Sequence, residues 1–257
     1  MKPVFKGLAL SLALACASSV FADSNTDFTA GLNAFNAKDY QTAQTVWGAL
    51  AEQGNITAQY NLALMYSKGL GVPRDITKAV KWYTEAAVGG HDGAQYNLGV
   101  MYHFGEGVVQ DYSLAVQWYS MAATSNNASA KFNLALLYES GQGTTKDMDK
   151  AVDLLKQAAK QGLADAQLKL ALMKIKGQGI EKNTDEAFEL VSQAAKQGPA
   201  NAQFMLGYMY LKGIGTQADE KQAKDWLQKA AHQGHNKAIA LMQGMNGVPA
   251  NTVVAKQ

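Results

Sequence analysis

The chain has 257 residues, of which 17% are charged, and its 23 basic and 21 acidic side chains give a formal net charge of +2. A balance this close to neutral excludes an electrostatic footprint for nucleic acid and a polybasic tether for an anionic membrane. With one cysteine the chain has no internal disulfide, so packing must supply its stability.

Residues 1–22 read as an export signal. Lys2 and Lys6 make a short basic start, Gly7 to Ala17 an apolar run, and Val20-Phe21-Ala22 a small-x-small cleavage site. The apolar run is too short for a bilayer span, which takes about 18–20 residues, and nothing later in the chain comes close. Cleavage after Ala22 removes both lysines and leaves 21 basic and 21 acidic side chains. The expected location is therefore periplasmic or secreted. The alternative is an outer-membrane lipoprotein lipidated at Cys16, behind Ala13-Leu14-Ala15, which lacks the usual leucine three residues before the cysteine.

Residues 23–57 form a first, shorter unit, with Ala37-Lys38-Asp39-Tyr40 at its centre. From Ala58 the chain returns to one phrase every 36 residues, at Ala94, Ala130, Ala166, Ala202 and Ala238. A fixed period of this size specifies a stack of supersecondary units. Within the unit that starts at Ala58, Ala58, Leu62, Met65 and Tyr66 make one helical face up to about Ser67. Lys68-Gly69-Leu70-Gly71-Val72-Pro73 stops that helix. Asp75 then stands where an N-cap belongs, ahead of a second helix over about Ile76 to Val88.

The columns repeat this logic. The cap position reads Asp75, Asp111, Asp147, Asn183, Asp219. The position after the second helix reads Gly54, Gly90, Asn126, Gly162, Gly198, Gly234, where asparagine is the non-glycine residue that best tolerates the left-handed region. Small residues in the second helices (Ala79, Ala115, Ala151, Ala187, Ala223) permit a close helix crossing, at the short end of about 8–10 Å. The predicted units are 58–93, 94–129, 130–165, 166–201 and 202–237, followed by a capping helix at 238–243 and a disordered tail at 244–257.

The phrase resembles the Sel-one-like repeat, a relative of the tetratricopeptide repeat. Ala94, Leu98, Gly99, Tyr102, Gly105, Gly107, Asp111, Ala115, Trp118, Tyr119, Ala122 and Ala123 follow its pattern. Lys174 departs from it in the tyrosine column, and Leu154-Leu155 stand in place of Trp-Tyr. The resemblance implies an all-α fold, a right-handed α-solenoid of stacked antiparallel helix pairs. The unit at 23–57 then resembles a tetratricopeptide cap, and the first helices should line a concave face.

On that face the first helices carry Asn61, Asn97 and Asn133, then Lys169; one or two turns on stand Lys68, Lys176 and Lys212. One reading is a groove whose amides bond an extended peptide and whose lysines meet a carboxylate. The other has the asparagines satisfying a neighbouring loop carbonyl and the lysines as solvated helix ends. Trp82, Trp118 and Trp226 share a column and are read as core filling against the next unit. His91 and His235 share another but lie four units apart, and His232-Gln233-Gly234-His235 lacks a third ligand for a metal.

No H-E-x-x-H, G-x-S-x-G or phosphate loop is present. The expected function is a non-catalytic adaptor or regulator in the bacterial envelope. It would act as a monomer that binds a protein or peptide and uses no cofactor or metal. The alternatives are a secreted virulence factor engaging host proteins, or a cell-wall or β-lactam hydrolase of the kind known among cysteine-rich relatives. S-x-x-K, S-D-N and K-T-G are absent from this chain.

Overall fold

A computed structural model describes residues 27–245. The proposed signal, Cys16 and the segment after Met245 lie outside the described residues. Among the described residues there are thirteen helices and no strand. They are α1 (27–36), α2 (Tyr40–Glu52), α3 (Ile56–Lys68), α4 (Ile76–Val88), α5 (Asp92–Phe104), α6 (Tyr112–Thr124) and α7 (Ala128–Ser140). Then come α8 (Met148–Lys160), α9 (Ala164–Lys176), α10 (Thr184–Lys196), α11 (Ala200–Lys212), α12 (Glu220–His232) and α13 (Asn236–Met245). Odd-numbered helices open each pair and even-numbered helices close it. The chain divides into two compact units between Met121 and Ala122, inside α6.

The cap column behaves as its chemistry requires. Asp75 Oδ1 accepts the Lys78 N–H at 2.9 Å, and Asp147, Asn183 and Asp219 do the same at their own helices. Asp111 accepts from both Ser113 and Leu114. The loop ahead of each cap is closed by a second bond, from the cap residue's own N–H to the carbonyl at the tyrosine column: Tyr66, Tyr102, Tyr138, Lys174 and Tyr210. The bond uses only backbone, so Lys174 leaves the loop unchanged. After each second helix the chain turns through a left-handed residue, and Asn126 (φ 68°) fills that role where its counterparts are glycine.

The first helices begin two residues earlier than the alanine frame suggests, and each helix from α3 to α12 has thirteen residues rather than about eleven. Side-chain caps stand ahead of four of the first helices, at Asn55, His91, Asn127 and His235, while α9 and α11 start in the same register behind Leu163 and Pro199 without one. Helix α13 runs to Met245 and so includes Gly244 and Met245, which the sequence reading placed in the tail.

In the first unit, Ala63, Ala79, Tyr83, Ala94 and Leu98 form one buried cluster, and Ala43, Trp47, Leu50, Leu62 and Met65 another. In the second unit the same columns supply Ala135, Ala151, Leu155 and Leu170, then Ala171, Ala187, Val191 and Leu206. Three of these clusters join a second helix to its own first helix and to the first helix of the next pair, which is how stacked repeats exclude water. Trp82 packs on α2 and α3, and Trp226 on α10 and α11. The tryptophans therefore fill space against the preceding pair, not the following one. Behind this alignment lies a glutamine column. Gln59, Gln95 and Gln167 are buried and donate to the carbonyls of Ala51, Ala87 and Ala159 on the preceding helix.

Candidate protein-interaction surface

Both helices of a pair supply large core residues, and the first helices carry the polar columns as well. In the first unit, Asn61 is half-buried on α3, Lys68 is exposed at its end, and Asn97 is half-buried on α5. In the second unit, Asn133 is half-buried on α7, Lys169 lies on α9, and Lys176 and Lys212 are exposed at the ends of α9 and α11. The seven positions thus fall in two units, three in one and four in the other.

Asn97 lines one cavity together with Tyr83 of the preceding second helix. Tyr83 is 3% exposed, and burial pushes its phenol above the usual range, against the opposing bond from Ser67 and with the Tyr60 and Glu106 charges adding to the rise. The hydroxyl is therefore a neutral hydrogen-bonding group at physiological pH. Ser67 Oγ stands 3.4 Å from it and donates to the Leu64 carbonyl at 2.9 Å. Across the loop, Arg74 donates to the Ser67 carbonyl and pairs with Glu106 at 2.8 Å. These residues and Lys68 surround a cavity of about 350 Å³ between the first two full repeats.

Lys169 does not wait for a ligand. Its ammonium meets Glu139 of the preceding first helix at 2.7 Å, and both side chains are largely shielded. Sequence reasoning placed Lys169 on the face but missed this partner, which lies 30 residues away.

Two histidines have a role the sequence did not reveal. His91 Nδ1 accepts the Ala94 N–H at 3.2 Å, and His235 Nδ1 accepts the Ala238 N–H at 3.2 Å. Each ring also stacks on an aromatic of the preceding first helix, Tyr60 at 4.2 Å and Phe204 at 4.4 Å between centroids. Burial holds the His91 imidazole below its ordinary range, with the Asp92 carboxylate opposing. Both are helix caps. Among the described residues, no group of three or more His, Cys, Asp or Glu is placed to hold a metal ion, and no helix is long and apolar enough to cross a membrane.

A family model for the Sel1 repeat matches residues 56–91, 93–127, 128–163, 164–199 and 200–235. The chain belongs to the Sel1 repeat family. Its matched repeats begin within two residues of the first-helix starts seen in the structure. A Sel1 repeat protein from Oxalobacter formigenes is similar at 31% identity and a TM-score of 0.79, over 88% of this chain and 92% of that one. The protective antigen c5321 of uropathogenic Escherichia coli, which displays this repeat fold, is similar at 31% identity and a TM-score of 0.78 over 89% of this chain. This chain spans 51% of the length of that antigen. The immunity protein PA5088 from Pseudomonas aeruginosa shares the fold, with 20% identity and a TM-score of 0.52 over 82% of this chain and 80% of that one. No curated protein matches the chain. Sel1 repeats are generally non-catalytic scaffolds for protein–protein interaction, and the stacked helix pairs give this chain the corresponding solenoid fold.

Proposed function

We propose that this Sel1 repeat protein is an exported, monomeric adaptor whose first-helix surface binds a protein or peptide partner in the bacterial envelope. The observation that carries the reading is the polar column on successive first helices. Both helices fill the core, while the first helices also present half-buried Asn61, Asn97 and Asn133 and exposed Lys68, Lys176 and Lys212. Half-buried amides are suited to this work. They offer both donor and acceptor to an extended backbone and are held by their surroundings before the partner arrives.

Export is supported by the basic start at Lys2 and Lys6, the apolar run to Ala17 and the small-x-small site ending at Ala22. Balanced charge favours a protein partner over nucleic acid. Capture from envelope extract, repeated with Asn97→Ala and Asn133→Ala, tests the reading. Loss of a specific partner with unchanged helicity supports it; an unchanged set of partners contradicts it.

A second reading, a host-facing partner, is favoured by one observation: the similar E. coli chain is a protective antigen of uropathogenic strains. Fractionation separates the two, since the envelope reading places the protein in the periplasm and the host reading places it in the culture medium.

A further inference from the structure

We propose that the cavity between α3 and α5 is a carboxylate site: it takes an acidic side chain, with an apolar neighbour, from an extended peptide. This rests on the reading that the first-helix surface binds a protein, and it names the chemistry the partner presents.

One slot recurs between successive first helices. In the second unit its two positions hold Glu139 and Lys169, an ion pair at 2.7 Å. One repeat further on they hold Ile175 and Met205, both packed against the same buried cluster. In the first unit the corresponding residues, 72 positions earlier than Glu139 and Lys169, are Ser67 and Asn97. Both are short and uncharged, and there the slot opens into the cavity of about 350 Å³. The chain therefore fills this slot with its own carboxylate in one place, with apolar side chains in another, and leaves it open in a third.

The open slot is furnished for an anion. Ser67 donates to the Leu64 carbonyl at 2.9 Å and lies 3.4 Å from the Tyr83 hydroxyl. Asn97 lines the cavity, and its carboxamide can donate to a ligand. Arg74 uses Nε on the Ser67 carbonyl and Nη2 on Glu106, which leaves further guanidinium N–H groups at the rim. Lys68 lines the same cavity and has no ion pair among the described residues. Two cations against one anion, with a neutral phenol beneath, favour a carboxylate. Leu64, Ile76, Val100 and Met101 line the remaining wall and suit an apolar side chain beside it.

The test uses isotope-labelled full-length mature chain and three peptides: acetyl-Ala-Leu-Glu-Ala-amide, its glutamine counterpart, and acetyl-Ala-Leu-Ala with a free C-terminal carboxylate. The glutamate peptide should give saturable shifts at the Asn97 side-chain amide and at Lys68. The glutamine peptide should bind about tenfold or more weakly, the worth of one charge-assisted hydrogen bond. The variant Ser67→Glu/Asn97→Lys rebuilds the Glu139–Lys169 pair in the open slot. It should abolish the glutamate response while keeping the thermal midpoint of the parent. Equal binding of the glutamine peptide, binding retained by the folded double variant, or no saturable shift overturns the proposal. Binding by the free C-terminus alone overturns the side-chain assignment. If the double variant still captures the partner found in envelope extract, the carboxylate site falls and the adaptor reading stands.

Discussion

Lys174 and Glu186 form an ion pair at 2.7 Å in the place where two other repeats hold an aromatic ring and a lysine. At the same two columns, Lys78 lies over the Tyr66 ring at 5.2 Å and Lys150 over the Tyr138 ring at 5.3 Å. The cation has moved from the second helix to the first, and a carboxylate has taken its former place. Lys174 is 6% exposed, so its charge needs that carboxylate. Glu186→Ala should destabilise the protein by about 1–3 kcal/mol, because it strands a buried ammonium. Lys174→Tyr/Glu186→Lys should be more stable than the sum of its single changes, because it recreates the contact of the Tyr138 repeat. Urea denaturation of the four proteins measures the coupling, and simple additivity would count against the exchange.

The His91 cap makes stability depend on pH. Its Nδ1 accepts a backbone N–H, so this nitrogen carries no proton in the folded chain. Burial depresses the folded pKa, while the unfolded chain takes up its proton near the ordinary value of about 6.5. Between those two values the unfolded state binds more protons, so stability rises with pH in that window. The contribution is complete above about pH 6.5 and is lost as pH falls through the folded pKa. Thermal midpoints from pH 5 to 8 should show this slope in the parent, and His91→Asn should flatten it while keeping a cap. His91→Ala should cost about 1 kcal/mol at pH 8.

Paired glycines in one loop have different reasons to be glycine. Gly213 and Gly215 both have positive φ, 64° and 66°. A Cβ at Gly213 would meet nothing closer than 3.4 Å, whereas at Gly215 it would overlap the Thr184 carbonyl of the preceding repeat. Gly213→Ala should therefore cost only the left-handed backbone penalty, about 1–2 kcal/mol. Gly215→Ala should cost a further 1–3 kcal/mol or so by forcing the repeats apart. Equal losses in chemical denaturation would show that the second glycine does not serve the close approach.

A glutamine ladder ties the second unit together. Gln197 donates to Gln167 at 3.0 Å and Gln233 to Gln203 at 2.8 Å, while Gln161 bonds Asn126. Gln167 also reaches the Ala159 carbonyl from a buried position. Gln167→Leu should lose about 1–2 kcal/mol despite its added apolar volume, because it leaves buried polar partners unpaired. Hydrogen exchange of the amides in α9 and α10 should accelerate; unchanged protection would remove the ladder from the account.

Much of the fold was legible because it is local. The helix face at Ala58, Leu62 and Met65, the Asp75 cap and the left-handed turn at Asn126 each depend on residues within a few positions. What escaped was contact between residues about 30 apart, such as Glu139 with Lys169 and Gln203 with Gln233. Nothing in one helix period reports on those. The glutamine column did leave a signal, since Gln59, Gln95, Gln167 and Gln203 each follow the anchor alanine. A polar residue fixed to the most buried column has a buried task. The histidine caps were hidden for another reason: imidazole is an uncommon capping group, and both rings also serve as stacking partners for Tyr60 and Phe204. Among the interaction residues, position was legible but charge pairing was not, and only the structure separates Lys169, already paired, from Lys68, which faces the cavity.

Site-specific photocrosslinking in living cells tests the central claim most directly. A crosslinking side chain placed at Asn61, Asn97 or Asn133 samples the first-helix surface, and one placed at Glu85, Lys156 or Gln228 samples the exposed side of the second helices. The account predicts a discrete protein adduct from the first set and none from the second. Adducts confined to the second-helix positions would contradict it.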